Sequence, residues 1–101
     1  MKQETASSAA VRDNAEERRY ELPIDAKHAA FVEYRLTDGV IVFTHAETPP
    51  QFEGRGFGSI LAKGALDAAR KRGLKVIPHC SFIAAYIHRH PEYADLLPTQ
   101  H

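Results

Sequence analysis

The sequence predicts an α+β fold: an antiparallel meander of strands followed by a β-α-β-α unit, with a mixed sheet at the centre. Three observations carry this. Between Arg18 and His45, stretches of apolar residues alternating with polar ones recur at strand period. From Phe57 onward the spacing changes to that of a helix. A short β-branched segment, Leu74-Lys75-Val76-Ile77, then follows that helix after a glycine, as in a crossover to a parallel strand.

Taken in order, residues 1–8 are small and polar and are expected to be disordered. Val11 to Asn14 can form a short strand and Asn14-Ala15-Glu16-Glu17 a turn. Arg18 to Ile24 would put Tyr20, Leu22 and Ile24 on one buried face, with Pro23, which lacks a backbone donor, at a strand end or edge. His28 to Leu36 repeats the pattern, with Ala30, Val32, Tyr34 and Leu36 inward and Phe31, Glu33 and Arg35 outward. Thr37-Asp38-Gly39 supplies the turn, because glycine tolerates positive φ. Val40 to His45 is apolar on both faces, as expected of a covered central strand, and Pro49-Pro50 ends it.

Phe57, Ile60, Leu61, Ala65 and Ala68 form the apolar stripe of a helix, with Lys63, Asp67, Arg70 and Lys71 on the wet side. Basic residues near its end complement the dipole, and Gly73 suits the C-terminal cap. Leu74 to Ile77 is the strand that Pro78 stops, a second helix is predicted over Phe82 to His88, and Pro91 to Leu97 forms a last turn. The predicted order places a parallel pair near the middle of the sheet. Residues 9–97 form one domain and 98–101 a tail.

A chain of 101 residues fits one compact domain with a modest core, a size compatible with weak homodimer formation without requiring it. Lysine plus arginine equal aspartate plus glutamate at 13 each, which argues against a nucleic-acid partner, so any anion site must be local. The single cysteine, Cys80, permits no internal disulfide and fits a reducing compartment. No apolar run approaches the roughly 18–20 residues needed to cross a bilayer, and the N-terminus lacks the apolar stretch of a secretory signal. A cytoplasmic location with no membrane partner is therefore expected. His88 and His90 are two apart on a helix and do not share a face, so no metal is expected either.

The chemistry centres on Glu53-Gly54-Arg55-Gly56-Phe57-Gly58-Ser59. A helix N-terminus offers unpaired N–H groups and the positive end of a dipole, and glycines let that backbone approach an anion. Arg55 adds a planar, doubly donating cation and Ser59 a hydroxyl. The P-loop pattern fails because Lys63 is misplaced, and the dinucleotide fingerprint fails on glycine spacing. Local sequence alone leaves two readings open, an anion site and a merely flexible strand-to-helix connection.

Pro49 to Leu61 resembles motif A of the GNAT superfamily of acetyltransferases, with Gly56 and Gly58 in its two small positions and Glu53 where an arginine or glutamine is usual. Together with Ile41–Ala46, Ala65–Arg70, Gly73–Cys80 and Tyr86–Tyr93, it makes residues 10–97 similar to the minimal GNAT-like family of roughly 100-residue, single-domain proteins. The resemblance implies a GNAT-like fold and acetyl-CoA as co-substrate. It implies transfer of an acetyl group to an undefined small-molecule or peptide amine, or, alternatively, a non-catalytic module that holds CoA or acyl-CoA as sensor or carrier.

On that resemblance the pantetheine arm lies along His45-Ala46-Glu47-Thr48, with Thr48 among the cofactor-binding residues. The pyrophosphate sits on Gly54, Arg55, Gly56, Phe57, Gly58 and Ser59. Cys80 is a candidate nucleophile or proton donor to the departing thiolate, or else a small buried residue. Tyr86 is a candidate general acid by the same resemblance, and His45 and Glu47 are candidate bases for the incoming ammonium.

Overall fold

The structure is a computed structural model that describes residues 8–98; most of the expected disordered N-terminus and of the tail lies outside this range. Ser8 itself belongs to a 3-10 turn, Ser8–Ala10. Five strands follow the predicted order: β1 (Arg12–Asn14), β2 (Arg19–Pro23), β3 (Ala29–Thr37), β4 (Val40–Glu47) and β5 (Lys75–Pro78). Helix α1 (Phe57–Lys71) joins β4 to β5, and α2 (Ser81–Arg89) leads into a 3-10 turn, Pro91–Leu96.

The sheet runs β1-β2-β3-β4-β5, antiparallel throughout the meander and parallel only between β4 and β5. The parallel pair therefore lies at one end of the sheet and not near its middle. No strand after β5 exists among the described residues to move that pair inward, since α2 and a 3-10 turn follow.

Alternation decides which side chains enter the core. Tyr20 and Leu22 of β2, Ala30, Val32 and Tyr34 of β3, Ile41 and Phe43 of β4 and Val76 of β5 are buried in one cluster with α1 and α2. Leu61, Ala62, Ala65, Leu66 and Ala69 are the buried residues α1 adds to it. The stripe is broader than the predicted one, and Ala68 only packs against its margin. Each large side chain so buried contributes about 1.5–3 kcal/mol. Leu36 departs from expectation: it continues the inward register but is 50% exposed, because β3 there runs past the end of β2.

Helix α1 ends in a Schellman motif. Gly73 at φ 72° lets its N–H reach Arg70 C=O at 3.1 Å while Leu74 N–H reaches Ala69 C=O at 2.9 Å. In the middle of α1, Gly64 lies directly under the N-terminal segment. A Cβ there would stand 2.5 Å from Val11 Cβ and 2.8 Å from the Ser8 carbonyl oxygen.

Two buried phenols tie remote segments together. Tyr34 donates to Asp13 of β1, and Tyr93 donates to Asp67 of α1 at 2.6 Å. Burial first, and then these carboxylates, push both hydroxyls up to about 12. The native state thus keeps both phenols neutral in a range where an unfolded chain ionises them. Their contribution is complete below the ordinary tyrosine pKa of about 10 and is lost as pH rises through about 12. Denaturant midpoints measured from neutral pH into this window are expected to fall steeply, and Tyr34→Phe is expected to flatten the fall. An unchanged slope in that variant would show that the Tyr34 phenol carries none of the effect.

Candidate functional site

The site begins with an irregularity in β4. Glu33 pairs with His45 but Tyr34 pairs with Phe43, so Thr44 is an extra residue, a β-bulge whose hydroxyl donates to Glu33 C=O at 3.3 Å. The bulge resets the alternation. Before it Ile41 and Phe43 face the helices; after it Ala46 packs there, while His45 and Glu47 point to the other face. His45 Nε2 and Glu47 Oε2 are 2.7 Å apart and both side chains are exposed.

The bulge also marks where β4 leaves β5. The last ladder pair is Phe43↔Pro78, and one further bond runs from Cys80 N–H to Phe43 C=O at 2.9 Å. Beyond it no strand of the described residues covers the β5-side edge of β4, so Thr44 to Glu47 border a gap. Cys80 stands at the closed end of this gap. It is 7% exposed and occupies the N-cap position of α2, where its C=O accepts from Ala84 N–H at 3.1 Å.

The connection from β4 to α1 is built for a backbone approach. Pro50–Phe52 makes one 3-10 turn, Glu53 is extended, and Gly54 and Gly56 take φ of 80° and 88°. Gly56 is the N-cap of α1; no side chain caps it and no acidic residue occupies the first turn. The N–H groups of that turn therefore remain available to an acceptor. Gly58 differs from the other two. Its φ is ordinary, but an added Cβ would lie 2.9 Å from Cζ of Phe82. The glycine makes room for an aromatic ring from α2.

These pieces enclose a cavity of about 400 Å³. Thr48, Gly54, Gly56, Phe57, Gly58 and Ser59, six of the seven residues predicted to bind cofactor, line it, together with the candidate base Glu47. Ala46, Phe52, Glu53, Leu61 and Phe82 complete the wall. Arg55 does not line it. Its guanidinium lies 5.6 Å over the ring of Phe52, which meets Phe57 edge-on at 5.9 Å.

Of the candidate catalytic residues, Cys80, His45 and Tyr86 do not line the cavity either. Tyr86 is a buried residue of α2. Its ring stacks on His90 at 4.1 Å and packs near Tyr93 at 6.0 Å, outside the cavity lining. Burial raises its hydroxyl, and the charges that bear on it are Lys63, Glu92, Asp67 and Arg89. One helical turn separates Tyr86 from Phe82, and it is Phe82 that reaches the site. No cluster of metal-ligating side chains occurs among the described residues, and none of their helices is long and apolar enough to cross a membrane.

The sheet thus splays beside a bulged strand, with an uncapped, glycine-flanked helix N-terminus over the split. Residues 19–96 match the family described as GCN5-related N-acetyl-transferase, and the chain belongs to that family. It is 27% identical over 88 residues to Protein NATD1 of Xenopus tropicalis, covering 85% of this chain and 81% of that protein. The solution structure of a GCN5-like putative N-acetyltransferase from Staphylococcus aureus superimposes with a TM-score of 0.68 at 26% identity. The match covers 90% of this chain and 89% of that one.

Proposed function

We propose that the domain binds acetyl-CoA in the cavity between β4, the glycine turn and Phe82, and passes the acetyl group to an amine. The observation that carries this is the coincidence of the cavity with the unbonded N–H groups of the first turn of α1. About 400 Å³ falls within the usual range of small-molecule sites, roughly 300–1,000 Å³. Phe57, Gly58 and Ser59 offer N–H donors and Ser59 a hydroxyl, the donor set a pyrophosphate needs. The open edge of β4 after the bulge offers peptide groups to an amide-containing arm. Bound acetyl-CoA supplies an activated thioester.

The residues would act as follows. His45, held by Glu47, accepts a proton from the incoming ammonium on the open face of the sheet. The free amine attacks the acetyl carbonyl, the carbon–sulfur bond breaks, and the departing thiolate takes a proton. Cys80, whose N–H donates to Phe43 C=O where β4 and β5 part, would give that proton or, alternatively, carry the acetyl group as a thioester before the amine takes it. Arg55 steers the anion from outside the cavity, and Tyr86 serves packing.

Glu53 is the poor fit, a carboxylate in the wall of an anion site. Calorimetry with CoA and acetyl-CoA is expected to show binding of both, tightened about 3- to 10-fold in Glu53→Gln as a like charge is removed. No heat and no melting shift at millimolar ligand would remove the proposal. If binding is seen, intact mass after incubation with acetyl-CoA separates the two roles of Cys80. An adduct absent from Cys80→Ala assigns the thioester route; turnover without an adduct assigns direct transfer; binding without turnover on any amine assigns a carrier.

A further inference from the structure

At the end of the sheet away from this site, β2 stops before β3 does. Arg19↔Glu33 is the last ladder pair, Tyr34 N–H still donates to Arg18 C=O at 2.9 Å, and Arg18 then turns away with φ 56°. Backbone groups of alternate strand residues point to the same edge, so the N–H and C=O of Leu36 face the side that β2 has left. Arg35 to Thr37 remain paired only with β4. Beside this open edge is a cavity of about 360 Å³ lined by Ala15, Arg18, Tyr34, Arg35 and Leu36.

The lining has two further properties. Leu36, 50% exposed, is the large apolar side chain that the described residues leave in solvent. Arg19, Arg70 and Arg72 each meet a carboxylate, whereas Arg18 and Arg35 meet none among the described residues. Glu16 and Glu17 of the neighbouring turn do not line the cavity, and Asp13 is already engaged by Tyr34 and Arg72. An apolar side chain, two unmatched guanidiniums and an unpaired stretch of strand thus share one notch.

We propose that this notch docks an extended segment of a partner protein, one that carries a carboxylate side chain beside an apolar one and adds to the edge of β3 as a short strand. Backbone pairing would supply affinity, and Leu36 with Arg18 and Arg35 the selectivity. A second copy is the poorer occupant. Two-fold pairing of the same edge through Leu36 would gather the Arg18 and Arg35 guanidiniums of both copies at one interface with no carboxylate to meet them, and like charges repel. The notch is five residues along β3 from the pair Phe31↔Glu47 at the other site, roughly 16 Å at the strand rise. Coenzyme and peptide are therefore expected to bind without competition.

The test is selection of a random peptide library on the full chain, counter-selected on Arg35→Glu, a substitution at an exposed position that leaves the core intact. Enriched peptides are expected to carry acidic and apolar residues at neighbouring positions. A synthetic copy of one should shift amide resonances of Ala15, Arg18 and residues 34–37, and bind at least about tenfold more weakly to Arg35→Glu and to Leu36→Asp. Enrichment of basic peptides, equal binding to the variants, or shifts confined to residues 46–59 would overturn the proposal. So would failure to enrich any peptide over the variant, or sedimentation showing a dimer that Leu36→Asp dissolves.

Discussion

Gly64→Ala is expected to lower the stability of the domain by about 2 kcal/mol, although alanine is the better helix former by about 1 kcal/mol. The gain in propensity is real but local. Against it stands a methyl group placed 2.5 Å from both Cβ and Cγ2 of Val11 and 2.8 Å from the Ser8 carbonyl oxygen. Carbon atoms at rest stand about 3.5–4.0 Å apart, so the overlap exceeds what a rotamer change relieves, and one of the obstacles is backbone. Overpacking of this kind costs about 1–3 kcal/mol or more.

The chain has one escape, which is to lift Ser8–Val11 off α1. That would expose Val11 and strain the short pairing of β1 with β2 and the Tyr34–Asp13 bond. The escape limits the loss and gives it a signature. Urea unfolding is expected to show a lower midpoint, and hydrogen exchange is expected to speed up in β1 before it does in β3 or β4. Stability equal to or above that of the parent chain would mean that the N-terminal segment is not seated on α1.

This contact also shows where sequence reading stops. The glycine at 64 looks like a tolerated blemish in a helix, because what it accommodates is Val11, more than fifty residues away along the chain. The strands were legible because alternation is a local property, and Tyr20, Leu22, Ala30 and Val32 all point where alternation puts them. Leu36 obeyed the same rule and still faces solvent, since the rule gives direction but not whether anything lies there. The position of β5 at the edge was hidden for a similar reason: a crossover specifies a parallel neighbour and not what flanks it.

In the candidate site, the glycine turn and the residues around it were readable from local chemistry and family resemblance. Phe82 was not, because its connection to Gly58 exists only after α2 has folded back across the start of α1. The bulge at Thr44 was equally silent, although it decides that His45 and Glu47 share a face away from the helices. Tyr86 rests on resemblance, and Ile83, Tyr86 and Ile87 fall on one helical stripe and are all buried.

Gly56 and Gly58 of the turn make separable predictions, and the larger is at Gly56. With φ of 88° it stands in a region that a β-branched residue scarcely enters, yet nothing lies within 4 Å of an added Cβ. Gly56→Val therefore meets backbone strain and no steric wall. Strain of this kind is worth about 1–3 kcal/mol, and the cheapest relief is to rotate the peptide groups on either side, which turns the first N–H groups of α1 off their common target. Affinity for CoA is expected to fall roughly 5- to 150-fold while the core, remote from the turn, keeps the domain folded. Gly56→Asn should fall less, because asparagine enters the left-handed region more readily. Gly58→Ala acts by another route: its methyl meets the far end of a ring, 2.9 Å from Cζ of Phe82, and Phe82→Leu in the same chain should restore what it loses. Rescue at Gly58 without rescue at Gly56 is the expected pattern. If Phe82→Leu rescues both, the turn is a matter of space alone, and the argument from left-handed backbone at Gly56 fails.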